Sequence, residues 1–304
     1  MLAEKSLDRV LIVVVGATAS GKSALSLELA RHLSCPIIST DSRQIYRGIP
    51  IGTAQPSAEE LAEIKHHFIA SRELADEYNA GRYEEDAISL LDKLFENHSV
   101  VVAVGGSGLY IKALCEGLDA MPEVSEQLRS QLRAEYAEHG LEPLLKELER
   151  SDPELHSTID RANHSRVLRA LEVCRAGGSC TDVRKGEVKE RPFKIIKVGL
   201  DLPRPELYER IDRRVHQMVE MGLIAEAQAV YPLRALNSLQ TVGYRELFAH
   251  FDGEYDLDRA IELIQRNSRR YAKRQMTWFR ADKQIEWFEE YNPRTIIEYI
   301  DKKL

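Results

Sequence analysis

The sequence predicts an α/β protein in which a parallel sheet is flanked by helices and interrupted by a mainly helical insertion. Short apolar runs rich in β-branched residues, at 11–15, 99–104 and 195–200, have the length and composition of buried strands. The first run leads into a glycine-rich loop and then into leucines at helical spacing. Between residues 122 and 191 the leucines keep helical spacing and no convincing strand is evident. The 304 residues suffice for one large domain or two of ordinary size.

The first element is a strand followed by a phosphate-binding loop and a helix. Residues 16–23, GATASGKS, fit the pattern G-x-x-x-x-G-K-[ST]. The glycines allow a tight turn, while backbone N–H groups and the helix N-terminus attract oxyanions. Lys22 adds a positive charge, and the Ser23 hydroxyl can ligate Mg²⁺. We therefore predict a P-loop NTPase-like core that binds a di- or triphosphate through Gly16, Ala17, Thr18, Ala19, Ser20, Gly21, Lys22 and Ser23.

A second strand at 36–39 is followed closely by Asp41. Ligands of open α/β sheets bind outside the carboxyl ends of the strands, so this carboxylate is well placed for base chemistry or metal binding. The alternative is that Asp41 caps a following helix. Further along, Ser57 and Glu60 have the spacing of a capping box and predict a helix start.

A second glycine-rich turn, at residues 105–110, follows the strand at 99–104. Its Ser107 could hydrogen-bond a ligand, or the turn could serve only close packing. The strand does not end in Asp or Glu, so it offers no evident Walker-B metal ligand. A later strand at 195–200 does end in Asp201, but it lies far along the chain. An ordinary ATPase is thereby disfavoured.

The insertion predicted at residues 121–192 divides an α/β core formed by residues 1–120 and 193–304. Residues 161–191 contain eight Lys and Arg against four acids, and residues 266–280 contain six against none. Such local basic faces can bind phosphate backbones even on a chain of net charge −7, because screening limits the reach of each field. They could equally be solvated helix faces.

Two helices complete the predicted core. On the first, at 207–219, Arg210 and Arg214 share one face at i, i+4 spacing and suit a diphosphate, although acids such as Glu206 could pair with them. The second helix, at 257–279, ends the core, and we expect its Trp278 and Phe279 to be core residues.

The bulk composition is that of a soluble globular protein, with 43% hydrophobic and 30% charged residues. No apolar run reaches the length of a membrane span, and the first ten residues lack the apolar core of a signal peptide. We expect a cytoplasmic monomer without membrane attachment. The four cysteines form no CxxC pair and indicate reduced thiols without a metal site.

Seven sequence blocks, in order and spread over nearly the whole chain, resemble the tRNA dimethylallyltransferase family. They are GATASGKS at 16–23, DSRQIY at 41–46, GIPIGTAQP at 48–56, GGSGLY at 105–110, RVLRALEV at 166–173, VGYREL at 242–247 and AKRQMTWFR at 272–280. The resemblance implies transfer of a five-carbon prenyl group from dimethylallyl diphosphate to N6 of an adenosine beside the tRNA anticodon, at tRNA position 37. It implies that the phosphate loop holds the diphosphate leaving group, which agrees with the missing Walker-B acid.

The same resemblance assigns roles to individual residues. It implies that Asp41 accepts the N6 proton, with Ser107 standing where the family usually has Thr. Mg²⁺ on Ser23 would offset charge on the diphosphate, with Arg210 and Arg214 as candidates for the opposite clamp. Gln44 and Tyr46 would line the channel. The residues implied in tRNA binding, including three in the insertion that would hold the anticodon stem-loop, are Asp41, Ser42, Arg43, Gln44, Ser107, Arg129, Arg166 and Arg169.

Three other functions share some of these features. An adenylate isopentenyltransferase would prenylate free AMP, ADP or ATP on the same fold, but has less need of a basic insertion. A small-molecule kinase would share the phosphate loop and turn over ATP. A non-enzymatic RNA-binding protein is disfavoured by the intact Lys22, Ser23 and Asp41.

Overall fold

The computed structural model describes residues 9–183 and 186–304, and these form two compact units. The larger unit comprises the described residues up to Cys115 together with Arg191–Leu304, and the smaller unit is Glu116–Glu190. These bounds lie a few residues from the predicted ones. Arg184 and Lys185, which contribute to the basic stretch at 161–191, lie outside the described residues.

The larger unit is built on a six-stranded sheet in which every neighbouring pair is parallel, in the order β3-β2-β4-β1-β5-β6. The strands are β1 (Val10–Gly16), β2 (Ile37–Ser39), β3 (His66–His67), β4 (Val100–Val104), β5 (Lys194–Leu200) and β6 (Ile285–Phe288). The three apolar runs recognised in the sequence thus become the adjacent central strands β4, β1 and β5. The fold class predicted from the sequence is confirmed.

Helices cover the sheet and form the rest of the larger unit. They are α1 (Lys22–Leu33), α2 (Ala58–Glu63), α3 (Ala80–Leu94), α4 (Gly108–Glu116), α10 (Arg204–Glu220), α11 (Leu223–Val230), α12 (Tyr244–Phe251), α13 (Leu257–Phe279) and α14 (Pro293–Asp301), with 3-10 helices at Tyr231–Leu233 and Asn237–Leu239. The capping box predicted for α2 is present, because Glu60 N–H donates to Ser57 Oγ at 3.2 Å and Ser57 N–H donates to Glu60 Oε2 at 2.7 Å.

The core of the larger unit lies on both sides of β1. All seven residues of β1 are buried, which explains why the strand is a continuous apolar run and not an alternating one. Val10, Ile12 and Val14 pack in one cluster with α1 and α14. A separate cluster joins α10 to α13 through residues such as Ile211 and Met276. The carboxyl end of β1 is therefore fixed from both faces.

The prediction that α13 ends the core is wrong. Strand β6 pairs with β5, and α14 then packs against α1, with Ile296 and Ile300 completely buried. The sequence signal was weak because β6 contains only four residues and carries Glu286 and Trp287 between its apolar ends.

The smaller unit contains helices and, within its described residues, no strand. Its helices are α5 (Glu126–His139), α6 (Glu142–Ser151), α7 (Pro153–Thr158), α8 (His164–Arg175) and α9 (Cys180–Val183). Leu132, Leu148 and Leu171 are completely buried in a core of its own. Arg175 binds Glu135 at 2.6 Å and Glu147 at 2.8 Å, and so ties α8 to α5 and α6.

Candidate active site

A cavity of about 150 Å³ lies at the carboxyl edge of the sheet in the larger unit. Strands β1, β2 and β4 end there and contribute, respectively, the phosphate loop, Asp41 and Gly105. The three strand ends are held together because Thr40 N–H donates to Val104 O at 2.8 Å and Gly105 N–H approaches Val14 O at 3.4 Å. Segments that are far apart in sequence therefore share one cavity.

The phosphate loop has the conformation that its glycines suggest. Gly21 has φ of 97° directly before α1, a left-handed conformation that favours glycine. No side chain caps the N-terminus of α1, so its first N–H groups face the loop. Lys22 Nζ donates to Ala17 O at 3.1 Å, and Ser20 Oγ is buried without a hydrogen-bond partner among the described residues. The uncapped N–H groups at the start of α1 thus remain available to an oxyanion.

Three cations, Lys22, Arg43 and Arg214, line the cavity with one carboxylate, Asp41. Burial and the neighbouring Arg214 lower the pKa of Lys22 to about 8, with Asp41 acting in the opposite direction. Burial also lowers the pKa of Arg214, again opposed by Asp41. A buried charge is costly unless it is paired, and here three positive groups share the cavity with a single negative one. This electrostatic imbalance favours an anionic ligand.

The opposite wall of the cavity is apolar. It is formed by side chains of α10, α11 and α13 and of the loop before α12: Ile211, Val215, Met218, Leu223, Val242 and Ile264. The sequence analysis missed this wall, because its residues were indistinguishable from ordinary core positions. The cavity therefore accepts a ligand that is charged at one end and apolar at the other.

Asp41 lies at the cavity and also organises the turn that follows it. Its Oδ1 accepts hydrogen bonds from the backbone N–H groups of Arg43 at 2.8 Å and Gln44 at 3.3 Å. The alternative that Asp41 caps a following helix is wrong, because a turn and not a helix follows it, and Asp41 lines the cavity.

Ser107 stands beside Asp41 but is not part of the cavity lining. Its Oγ accepts from Ser42 N–H at 2.9 Å and donates to Ser42 Oγ at 3.1 Å. Tyr271, which was not among the residues predicted for the site, also lines the cavity. Burial raises the pKa of Tyr271 to about 12. The charge of Asp41 raises this pKa further, and a hydrogen bond to Ser107 lowers it. The hydroxyls of Ser42, Ser107 and Tyr271 thus surround the Asp41 side of the cavity.

Gln44 lines the cavity and holds the loop opposite it. Its Nε2 donates to the carbonyls of Thr53 at 3.2 Å and Ala54 at 2.7 Å, and its Oε1 accepts from Ser39 Oγ at 3.0 Å. Tyr46, expected beside it in the channel, is instead 3% exposed within an apolar cluster and is not among the described lining residues. That expectation is wrong, because the turn at Asp41 directs the two side chains differently.

The two arginines of α10 have different surroundings. Arg214 lines the cavity, whereas Arg210 pairs with Glu206 at 2.8 Å. An Arg210 guanidinium nitrogen nevertheless lies 3.8 Å from the position that a Cβ at Gly21 would occupy. Arg210 is therefore close to the phosphate loop from outside the cavity.

Three arginines predicted to bind RNA lie on the smaller unit. Arg169 pairs with Glu172 at 2.7 Å, and Arg129 approaches the same carboxylate at 3.9 Å. Arg166 is exposed, and within the described residues it has no acidic partner. Glu172 thus offsets part of the charge of two of these arginines and leaves that of Arg166 available.

Trp278 is not a core residue, and the sequence prediction is wrong on this point. Phe279 is 2% exposed, but Trp278 is 48% exposed. Its indole ring lies against the Cα of Gly108, where an added Cβ would be 2.3 Å from Trp278 Cδ1. The indole thus lies at the C-terminal end of the exposed, basic face of α13. It contacts Gly108, which is the residue directly after Ser107.

The site has oxygen donors for a metal ion but few of them. Among the described residues, no group of three or more His, Cys, Asp or Glu side chains could hold a metal. Ser23 and Asp41 do line the cavity. One or two protein oxygens supplemented by substrate phosphates suit Mg²⁺, which keeps several of its waters, so the donor set fits this ion.

The fold and the site define the class of the protein: a P-loop α/β protein with an amphipathic, cationic cavity and a helical second unit. A sequence model of the IPP transferase family matches residues 44–282. The chain is 46% identical to tRNA dimethylallyltransferase 2 of Azobacteroides pseudotrichonymphae, over 97% of this chain and 98% of the relative. It is also 46% identical to the tRNA dimethylallyltransferase of Cytophaga hutchinsonii, over 98% of each. The chain therefore belongs to the IPP transferase family.

Solved structures agree with this assignment. The full-length tRNA isopentenylpyrophosphate transferase of Bacillus halodurans has 36% sequence identity and a TM-score of 0.72 over 96% of each chain. A eukaryotic dimethylallyltransferase acting on tRNA shares the fold, with a TM-score of 0.78 at 23% identity over 92% of this chain and 74% of its own. Separately, no helix in the described parts of the chain is long and apolar enough to span a membrane.

Proposed function

We propose that this protein transfers a dimethylallyl group from dimethylallyl diphosphate to N6 of adenosine 37 in tRNA, releasing diphosphate. The observation that carries the proposal is the cavity, which is lined both by the cations Lys22 and Arg214 and by apolar side chains that include Met218 and Leu223. A prenyl diphosphate has matching parts, an anionic head and a branched five-carbon tail.

In this proposal Asp41 acts on the acceptor. An exocyclic adenine amine is a poor nucleophile, because its lone pair is delocalised into the ring. In the proposed step, the C–N bond forms as the C–O bond to the diphosphate breaks, and the electron pair of the C–O bond leaves with the diphosphate. The N6 proton passes to Asp41, a positioned base. Ser107, held beside Asp41 through Ser42, helps to orient the adenosine.

Lys22, Arg214 and the N-terminus of α1 bind the diphosphate and stabilise its growing charge. Arg210 approaches the same loop from outside the cavity. Ser23 would hold Mg²⁺ together with the diphosphate, and the ion would supply further stabilisation of negative charge.

The RNA is held outside this cavity. Exposed Arg166 and its neighbours on the helical unit suit the phosphates of the anticodon stem-loop, and Ser42 and Arg43 lie beside Asp41 for contacts with the loop. A base must leave its stack to reach Asp41, which costs only a few kcal/mol in a single-stranded loop. We further propose that the protein acts as a cytoplasmic monomer.

A prenyl-transfer assay tests this function. Purified protein with Mg²⁺ and labelled dimethylallyl diphosphate is offered unmodified tRNA carrying adenosines at positions 36 and 37, and in parallel AMP and ATP. We expect label in the tRNA alone. Label in the free nucleotide would assign the protein to the adenylate isopentenyltransferases. ATP consumption without label transfer would identify a kinase and refute the proposal.

A further inference from the structure

The side-chain amide of Gln275 connects two loops of the site that are far apart in sequence. Gln275 lies on α13 and is 6% exposed. Its Oε1 accepts the backbone N–H of Thr18 at 2.9 Å, and its Nε2 donates to the carbonyl of Gly106 at 2.9 Å. One side chain thus bridges the phosphate loop after β1 and the glycine turn after β4.

The bridge depends on the amide group. A carboxamide carries a donor and an acceptor side by side, and only one orientation of this group satisfies both loops. The amide fits only because residue 106 is a glycine, since an added Cβ there would lie 2.1 Å from Gln275 Nε2. The hydrogen bond to Gly106 is buried and the one to Thr18 is partly buried, so leaving the Gly106 carbonyl unpaired would be the more costly loss.

The two loops serve different substrates under the proposed function, on which this inference rests. Thr18 belongs to the loop that holds the diphosphate of the prenyl donor. Gly106 directly precedes Ser107, which stands beside Asp41 on the side of the acceptor amine. We propose that Gln275 is a positioning residue that fixes the phosphate loop relative to Ser107 and Asp41, and thereby aligns the prenyl carbon with N6. Its side chain also lines the cavity, but both polar atoms of its amide are bonded to the two loops.

The variant Gln275→Glu tests this role. It keeps the size of the side chain and an acceptor for Thr18, but places a carboxylate oxygen against the Gly106 carbonyl. We expect kcat to fall about 10²-fold, because small misalignments of reacting groups are that costly. The Kd for inorganic pyrophosphate should also rise, because the new carboxylate lines the same cavity as the diphosphate site, so kcat is measured with both substrates saturating.

Acidification provides a second readout. A protonated Glu can again donate to Gly106, so the ratio of variant to parent kcat should rise as the pH falls. The matched control is Gln265→Glu on the same helix, where Gln265 contacts only His216 outside the cavity. A Gln275→Glu kcat within about 3-fold of the parent would overturn the inference. So would an equal fall in kcat for Gln265→Glu.

A double-mutant cycle with Gly106→Ala guards against a folding defect. When Gln275 is present, the methyl group of Gly106→Ala displaces its amide, so Gly106→Ala should slow transfer about as much as Gln275→Ala does. Adding Gly106→Ala to Gln275→Ala should cost little more, because the clash is gone. If the parent transfers the prenyl group but the losses of Gly106→Ala and Gln275→Ala add, the inference is refuted and the proposed function stands. A parent without prenyl transfer refutes the proposed function as well.

Discussion

The backbone N–H of Arg43 donates to Asp41 Oδ1 at 2.8 Å, and the N–H of Gln44 shares the same oxygen. No described residue donates to the second carboxylate oxygen, Oδ2. One oxygen of Asp41 therefore maintains the turn and the other remains for a ligand in the cavity. This division separates a structural role from a chemical one within a single side chain.

Asp41→Asn should separate these two roles. The amide oxygen can still accept the N–H groups of Arg43 and Gln44, so we expect the fold and tRNA affinity to be retained. The amide cannot take up the N6 proton, and single-turnover transfer should slow by about 10²-fold or more. Asp201→Asn, at the end of β5 and outside the cavity lining, is the matched control. Unchanged transfer in Asp41→Asn would remove Asp41 from the mechanism.

Pyrophosphate affinity should depend on the protonation of Lys22. Burial and Arg214 lower the pKa of Lys22 to about 8, so raising the pH through this value removes a positive charge from the empty site. Pyrophosphate itself also titrates, and Lys22→Arg serves as a reference because guanidinium stays charged. Calorimetric titrations between about pH 7 and 9 should show the ratio of parent to variant affinity falling with pH. A constant ratio would contradict the placement of Lys22 at the diphosphate.

Much of the fold could be predicted because its signals are local. The glycine pattern at 16–23 and the apolar run of β1 are contiguous in sequence, and the helix predicted at 257–279 coincides with α13. Asp41 and Gly105 could be placed because parallel strands bring their carboxyl ends to one edge.

The remaining features depend on contacts between distant segments. The apolar wall of the cavity joins Ile211 to Ile264, and nothing in sequence distinguishes a cavity-lining isoleucine from a core one. Gln275 lies 257 residues from Thr18. Trp278 was misjudged because aromatic residues on amphipathic helices usually face the core, whereas its neighbours Gln275, Met276 and Phe279 occupy the buried face.

Arg166→Ala should weaken tRNA binding and reduce its salt dependence. Arg166 is exposed and lacks an acidic partner among the described residues, whereas Arg169 pairs with Glu172. One lost phosphate contact should reduce the magnitude of the slope of log K against log salt by about 1. Arg169→Ala should reduce the magnitude of this slope by less than Arg166→Ala does. Arg133→Ala, exposed on α5 of the same unit, is the control for loss of charge alone. Equal slopes for Arg166→Ala and the parent would show that this arginine does not contact the phosphates.

Trp278→Ala should weaken tRNA binding, because the exposed indole lies on Gly108, next to Ser107, and continues a basic helix face. Stacking of one base on an aromatic ring contributes about 1–3 kcal/mol, so we expect a loss of about 10-fold in affinity, with most of it restored in Trp278→Phe. Fluorescence titration of the parent should show quenching of the indole on addition of tRNA. Met221→Ala, which removes an exposed apolar side chain elsewhere, should leave affinity unchanged. If Trp278→Ala and Met221→Ala bind tRNA equally well, the ring makes no contact with a base, and the basic face of α13 acts through charge alone.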